Sequence, residues 1–232
     1  MAEQLISPAR PTHATQTRPT TPTGSTAELR RSPAAHLAPR FAEAEVTGAR
    51  RVSLREVPFR TMVGLRAVPG SDAARRIEAR LGTPLPARCG EVSVGTGSSV
   101  FWLAPDEFLV VSSTDPAEAT AALAEALGAE PGSAVDLSAN RTTFELSGTS
   151  ARDVLEKGCP LDLHPRAFAV GAAYVTQLGP VPVLLWKTGP ETWEVCPRAS
   201  FADYLGRWLL DAMAEFKTAE PTAARLKAPE VL

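Results

Sequence analysis

Two stretches of this chain repeat one order of elements, and that repeat restricts the fold more than any other feature. In the first, Val100–Leu103 and Phe108–Val111 read as strands joined by Ala104-Pro105-Asp106-Glu107, and a helix signal follows to Leu127. In the second, Val181–Trp186 and Thr192–Val195 are strands, and a helix signal follows to Met213. A shorter helix precedes each hairpin, over Asp72–Leu81 ended by Gly82 and over Ser150–Lys157 ended by Gly158. Further strands are expected at Phe59–Val68, Val135–Leu146 and Ala173–Leu178.

The helix boundaries carry recognisable chemistry. Asp115-Pro116-Ala117-Glu118 supplies an N-cap, a first-turn proline and an N3 acid before an alanine-rich run that stops at Gly128. Ser200 and Asp203 have the same S-x-x-D spacing near the C-terminus. After them Phe201, Tyr204, Leu205, Trp208, Leu209, Ala212, Met213 and Phe216 recur at helical steps, with Asp203, Arg207, Asp211 and Glu215 on the other face. The pattern predicts an α+β fold of two ferredoxin-like β-α-β-β-α halves sharing a sheet.

Composition sets the ends. Residues 1–40 hold six prolines, seven threonines and no aromatic residue, with five arginines against two glutamates. So few large apolar groups do not offset the entropy of ordering, and the segment reads as a disordered tail. It lacks the apolar region and small-residue cleavage pattern of a targeting sequence. A folded domain is expected over residues 41–218, and a second short tail, with Pro221 and Pro229, over residues 219–232.

With 24 basic against 26 acidic residues and a pI near 6.0, a broad nucleic-acid or anionic-membrane surface is not expected. No apolar run approaches a membrane span. Three widely spaced cysteines fit a reducing, cytoplasmic setting better than a disulfide scaffold. Cys89, Cys159 and Cys196 have no C-x-x-C partner and read as inert thiols. His164, in Cys159-Pro160-Leu161-Asp162-Leu163-His164-Pro165, has no second ligand at metal spacing and reads as a loop-fixing residue. Gly95-Thr96-Gly97 lies between two strands, lacks a third glycine, and makes no phosphate loop. Trp186, Trp193 and Trp208 fall on strand or helix periods and read as packing residues. No catalytic residue, cofactor loop or metal cluster emerges from the residues themselves.

A resemblance adds to this. Arg141-Thr142-Thr143, Ser147-Gly148, Ala151-Arg152-Asp153-Val154-Leu155 and Lys157-Gly158-Cys159-Pro160-Leu161-Asp162-Leu163-His164-Pro165 form one joined signature. With Phe168, Gly171, Phe201–Leu205 and Trp208-Leu209, it resembles the gamma-subunit family of heterotetrameric sarcosine oxidases. The resemblance covers the second half well and the first by general layout. It implies a fold like the N-terminal part of the glycine-cleavage aminomethyltransferase. It also implies a complex with alpha, beta and delta subunits, in which FAD, FMN, NAD and tetrahydrofolate sit on the other subunits. Such a complex oxidises sarcosine to glycine, forms hydrogen peroxide and passes the one-carbon unit to tetrahydrofolate. The gamma chain would be a non-catalytic accessory subunit. The alternatives are a free-standing folate-binding aminomethyltransferase-like protein and the small subunit of a related N-methyl amino-acid dehydrogenase. The segment 151–155 echoes the centre of the aminomethyltransferase motif, but its flanking glycines, arginine and acid are missing. The expected partner contacts are an Asn140–Arg141 strand and the Asp162–Arg166 connection, with Arg141 and Arg166 pairing to partner carboxylates and His164 capping a hydrogen-bond network. For Arg141 an internal ion pair with Glu145 is the competing expectation.

Overall fold

The computed structural model describes residues 30–217. The first described element starts at Ala35, ahead of the boundary that composition sets at residue 40. A 3-10 turn at Ala35–Leu37 leads into α1 (Ala38–Ala44), and Ala34, Leu37, Phe41 and Ala44 are buried. Glu56 anchors this entry: it accepts hydrogen bonds from the Ser32 hydroxyl at 2.5 Å, the Ala34 N–H at 3.1 Å and the Thr142 hydroxyl at 2.6 Å. The other residues assigned to the two tails lie outside the described residues.

The remaining elements run β1 (Ser53–Val57), β2 (Thr61–Ala67), α2 (Asp72–Leu81), β3 (Val92–Val94), β4 (Ser98–Ala104) and β5 (Glu107–Ser112). Then follow α3 (Pro116–Leu127), β6 (Gly132–Asp136), β7 (Thr143–Ser147) and α4 (Ala151–Glu156). The chain ends with β8 (Ala173–Leu178), β9 (Val181–Gly189), β10 (Thr192–Pro197) and α5 (Ala202–Met213). The capped helices form where their signals predict. Ser71 accepts from the Ala74 N–H at 3.1 Å to start α2, and Gly82, at φ 68°, ends it. Asp115 accepts from the N–H groups of Ala117 and Glu118 at 3.0 and 3.2 Å to start α3.

The α+β class and the two-half plan hold, but the strands form two sheets where the pattern predicts one shared sheet. Their orders are β6-β2-β5-β4-β3 and β1-β7-β10-β9-β8, with every neighbour antiparallel. The two orders correspond position by position. In each, the first strand of the half sits between a closing strand and the fourth strand. The first half closes with its own last strand, β6. The second closes with β1, supplied from the start of the chain.

Alternation explains why the sheets stack instead of merging. Val63, Leu65, Val100, Phe108 and Val110 face Ile77, Leu81, Leu123 and Leu127 of α2 and α3. Their strand neighbours Met62, Phe101 and Leu109 face the other way, onto Ala173, Leu184 and Cys196 of the second sheet. Phe101 meets Trp186 edge to face at 5.1 Å there. Phe144, Leu146, Val183, Leu185, Trp193 and Val195 turn outward onto α1, α4 and α5. The result is four layers, helix–sheet–sheet–helix, with apolar residues on both faces of the central strands. One continuous sheet would leave the inner face uncovered.

Two crossovers carry the chain between sheets. Pro58-Phe59-Arg60 joins β1 to β2, with Phe59 at φ 59°. Residues 137–142 join β6 to β7, so the predicted strand Val135–Leu146 is two strands in different sheets. The break is an Asp turn: the Asp136 carboxylate accepts from the Ser138 N–H at 2.8 Å, and the Asn140 N–H donates to the Leu137 carbonyl at 2.8 Å. At the C-terminus, a 3-10 turn at Ala199–Phe201 precedes α5, and no Ser200 side-chain cap forms. Phe201 and Tyr204 consequently point to solvent, at 39% and 50% exposure, and Leu205, Gly206, Leu209 and Met213 carry the buried face. A Cβ on Gly206 would stand 2.7 Å from Leu37, so its glycine lets α5 approach the N-terminal segment closely.

Candidate interface residues

The five residues singled out from sequence occupy two separate places. Asn140 and Arg141 form a turn and an isolated bridge, not a strand, and Arg141 stands opposite Arg198. The Asn140 carbonyl accepts the Ala199 N–H at 2.8 Å, and Arg141 Nη1 donates to the Cys196 carbonyl at 3.1 Å. Burial lowers the Arg141 pKa below its ordinary value, and the neighbouring Arg198 charge lowers it further. The expected internal partner Glu145 is taken by Arg55, whose Nε and Nη2 donate to its two oxygens at 2.8 and 2.7 Å.

Asp162, His164 and Arg166 lie in the exposed connection after α4. The Asp162 carboxylate accepts from the His164 N–H at 2.9 Å, and His164 Nδ1 accepts from the Arg166 N–H at 3.2 Å. The His164 carbonyl accepts from Ala167 and Phe168. His164 therefore shapes its own loop, while Leu163 and Phe168 fasten that loop to the core. Among the described residues no hydrogen bond or ion pair joins the two groups.

The joined signature is largely structural. Residues 151–155 form α4, with Ala151, Val154 and Leu155 buried and Arg152 paired to Glu156 at 3.2 Å. Lys157 donates to the Ala212 carbonyl at the end of α5 and pairs with Glu215 at 3.1 Å. Gly158 leaves room for Trp208, whose ring would lie 2.7 Å from an added Cβ. Gly95-Thr96-Gly97 makes a hairpin turn closed by the Gly95 N–H to the Ser98 carbonyl at 2.9 Å, with no helix N-terminus behind it to receive phosphate. Among the described residues no cluster of three or more His, Cys, Asp and Glu is suited to a metal ion, and no helix is long and apolar enough to cross a membrane. An open groove of about 520 Å³ runs between α1 and β1, lined by residues including Ala38, Phe41, Leu54 and Pro58.

Sequence reasoning missed the buried charges. Arg60 makes two hydrogen bonds to Glu194, at 2.6 and 2.7 Å, tying the β1–β2 crossover to β10. Burial raises the Glu194 pKa above its ordinary 4.5 while Arg60 opposes that shift. Lys187 is 2% exposed; its Nζ donates to the Phe168 carbonyl at 3.1 Å and stands 4.9 Å from the Trp193 ring centroid. Burial lowers its pKa below 10.5. These partners come from distant parts of the chain, so no local spacing announces them.

Comparison with known proteins agrees with this architecture. Residues 66–215 match the model of the sarcosine oxidase, gamma subunit family. Sarcosine oxidase subunit gamma of Corynebacterium sp. (strain U-96) is 53% identical over 194 residues, 83% of this chain and 94% of that protein. The Arthrobacter sp. protein of the same name is 51% identical over 197 residues, 84% of this chain and 95% of its own length. A chain of the heterotetrameric sarcosine oxidase from Corynebacterium sp. U-96, solved in complex with pyrrole 2-carboxylate, superposes with a TM-score of 0.80 at 53% identity. That superposition covers 83% of this chain and 98% of that one. The glycine cleavage system aminomethyltransferase T from Bartonella henselae shares the fold, with a TM-score of 0.52 at 15% identity, over 75% of this chain and 48% of that one. With about half of the aligned residues identical to those relatives and nearly all of their length spanned, the chain belongs to the sarcosine oxidase gamma subunit family.

Proposed function

We propose that this chain is the gamma subunit of a heterotetrameric sarcosine oxidase, in which it serves assembly and stability. The observation that carries the reading is the agreement at a TM-score of 0.80 and 53% identity with a chain of such an enzyme, over 98% of that chain. Its partners in this reading are the alpha, beta and delta subunits. FAD, FMN, NAD and tetrahydrofolate are held by those subunits, which oxidise sarcosine to glycine, form hydrogen peroxide and transfer the one-carbon unit. The setting is cytoplasmic. Within this chain the contact residues are Asn140, Arg141, Asp162, His164 and Arg166. Four of them, all but Arg141, are exposed, and the short hydrogen bonds of the two turns hold their backbone in place.

The test is purification of the chain from its native cells on a C-terminal tag, with the visible spectrum and subunit masses recorded. Three co-purifying chains with flavin absorbance that bleaches on adding sarcosine are expected. A colourless single chain of 24.6 kDa would overturn the reading, and tetrahydrofolate binding to it would then favour the free-standing alternative.

A further inference from the structure

We infer that Arg141 and Arg198, set opposite each other by a backbone bridge, form a docking point for two carboxylates of an acidic segment on a partner subunit. The inference deepens the proposed function and rests on it. Antiparallel pairing of β7 with β10 sets Glu145 opposite Glu194, and further along the same two chain segments a bridge sets Arg141 opposite Arg198. Residues directly opposite on antiparallel strands share a face, and like charges there repel. The structure thus contains one acidic and one basic like-charge pair along a single ladder, with the buried Thr143–Cys196 contact between them.

The two pairs are treated differently. The acidic pair is neutralised inside the chain, Glu145 by Arg55 and Glu194 by Arg60, each through two hydrogen bonds. For the basic pair, the Cys196 carbonyl accepts from Arg141, and no described carboxylate forms an ion pair with Arg141 or Arg198. A carbonyl does not cancel the second charge. Burial and the Arg198 charge both act against the Arg141 cation, which is the condition a pair of incoming carboxylates would relieve.

The surroundings fit a protein partner better than a free anion. Arg198 is exposed, and Phe201 and Tyr204 stand exposed just beyond it, at the start of α5. The Ala199 hydrogen bond to Asn140 and the Phe201 N–H bond to the Arg198 carbonyl, at 2.8 and 2.9 Å, hold these residues together. Arginines beside solvent-facing aromatic side chains are the composition of interface hot spots. A single mobile anion at so open a place would be held weakly through screening solvent.

The experiment uses the assembled complex, obtained by co-expression with the other subunits. In the Arg198→Lys variant, a carbodiimide that joins an amine to a touching carboxylate is applied, and cross-linked peptides are identified by mass spectrometry. A link from position 198 to an Asp or Glu of another subunit is expected. A link only to a carboxylate of this chain, or no link at 198, overturns the docking point. In parallel, Arg198→Glu should weaken retention of the subunit at low salt by roughly tenfold or more, with the difference shrinking at about 0.5 M salt. Its isolated melting point should be no lower than that of the unmodified chain, because the substitution replaces a like charge opposite Arg141 by an opposite one. Equal retention at low salt overturns the inference. Failure of the unmodified chain to assemble would remove the subunit reading itself, whereas assembly without these effects removes only the docking point.

Discussion

Replacing Arg60 by alanine removes the counter-charge from a carboxylate that has little access to water. The Glu194 side chain is 6% exposed against 28% for Arg60, and two hydrogen bonds of 2.6 and 2.7 Å join them. Removing one partner of a buried ion pair costs about 3–5 kcal/mol because the other charge is left uncompensated. The partial exposure of Arg60 screens the pair and places the expected cost near the lower end, about 3 kcal/mol at neutral pH. The sign with pH follows from Glu194. Burial raises its folded pKa above 4.5, so the folded chain holds the proton more tightly and stability falls as pH rises above that value. Without Arg60 the folded pKa climbs further, and the interval over which stability is lost extends upward. The Arg60→Ala penalty is therefore small near about pH 4.5 and grows as pH rises toward neutrality. At about 2–4 °C per kcal/mol for a unit of this size, calorimetry should show a melting point roughly 6–12 °C lower near neutrality. A penalty that is the same at both pH values would refute the reasoning, as would one below about 0.5 kcal/mol at neutral pH. The opposite variant, Glu194→Ala, should be milder, since the Arg60 side chain left behind has solvent to turn to.

Two other substitutions probe the second sheet and its cover. Leu37→Ala deletes a side chain that is 1% exposed and seated against Gly206, so urea unfolding should show a loss of about 2–4 kcal/mol; a loss within about 0.5 kcal/mol would mean that the N-terminal segment contributes no core. Lys187→Met keeps the volume and removes a buried charge, at the expense of the donor to the Phe168 carbonyl, so the change at neutral pH should stay within about 1.5 kcal/mol. Because burial lowers the Lys187 pKa below 10.5, the unfolded chain binds the extra proton and stability rises with pH toward 10.5. Urea midpoints across that range should lose this rise in the variant, and an unchanged slope would contradict the desolvation argument.

What could be read in advance was what lies close together in the chain. The caps at Ser71 and Asp115 and the stops at Gly82 and Gly128 directly adjoin the ends of α2 and α3 that they fix. The repeated element order reflects a real correspondence of the two sheets. The split of Val135–Leu146 was also written locally, in the turn-forming run Asp136-Leu137-Ser138-Ala139-Asn140, but apolar residues on both sides of it give the appearance of one strand. Only Leu54 of β1 is buried, so that strand carries little hydrophobic signal. Phe201 and Tyr204 match the helical period of α5 yet lie off its buried face, because a large apolar residue at the right step does not say which of two adjacent faces is covered. At the candidate site, the turn chemistry of Asp162 and His164 is local, whereas Arg141 faces Arg198 and Arg60 reaches Glu194 across 134 positions. Pairings at that separation exist only once both sheets have formed.

The position of β1 makes the two halves one cooperative unit. It precedes the whole first half in the chain but completes the sheet of the second, pairing Leu54 with Leu146 and Glu56 with Phe144. The core beneath that sheet correspondingly draws Leu37, Phe41 and Leu54 from one end of the chain and Leu205, Leu209 and Met213 from the other. Closing it encloses the first half as a long loop, whose entropy grows only slowly with length. Two crossovers link the sheets, and the second is fastened to the start of β2, just past the first: the Leu137 N–H donates to the Met62 carbonyl at 2.8 Å, and Ser138 Oγ accepts the Met62 N–H at 3.1 Å. Arg60 leaves the first crossover to meet Glu194, and Arg141 leaves the second to meet Arg198. One ladder between β7 and β10 thus receives a charge from each crossover. The charge that arrives at Glu194 completes an ion pair, and the one that arrives opposite Arg198 leaves two cations with no carboxylate partner among the described residues.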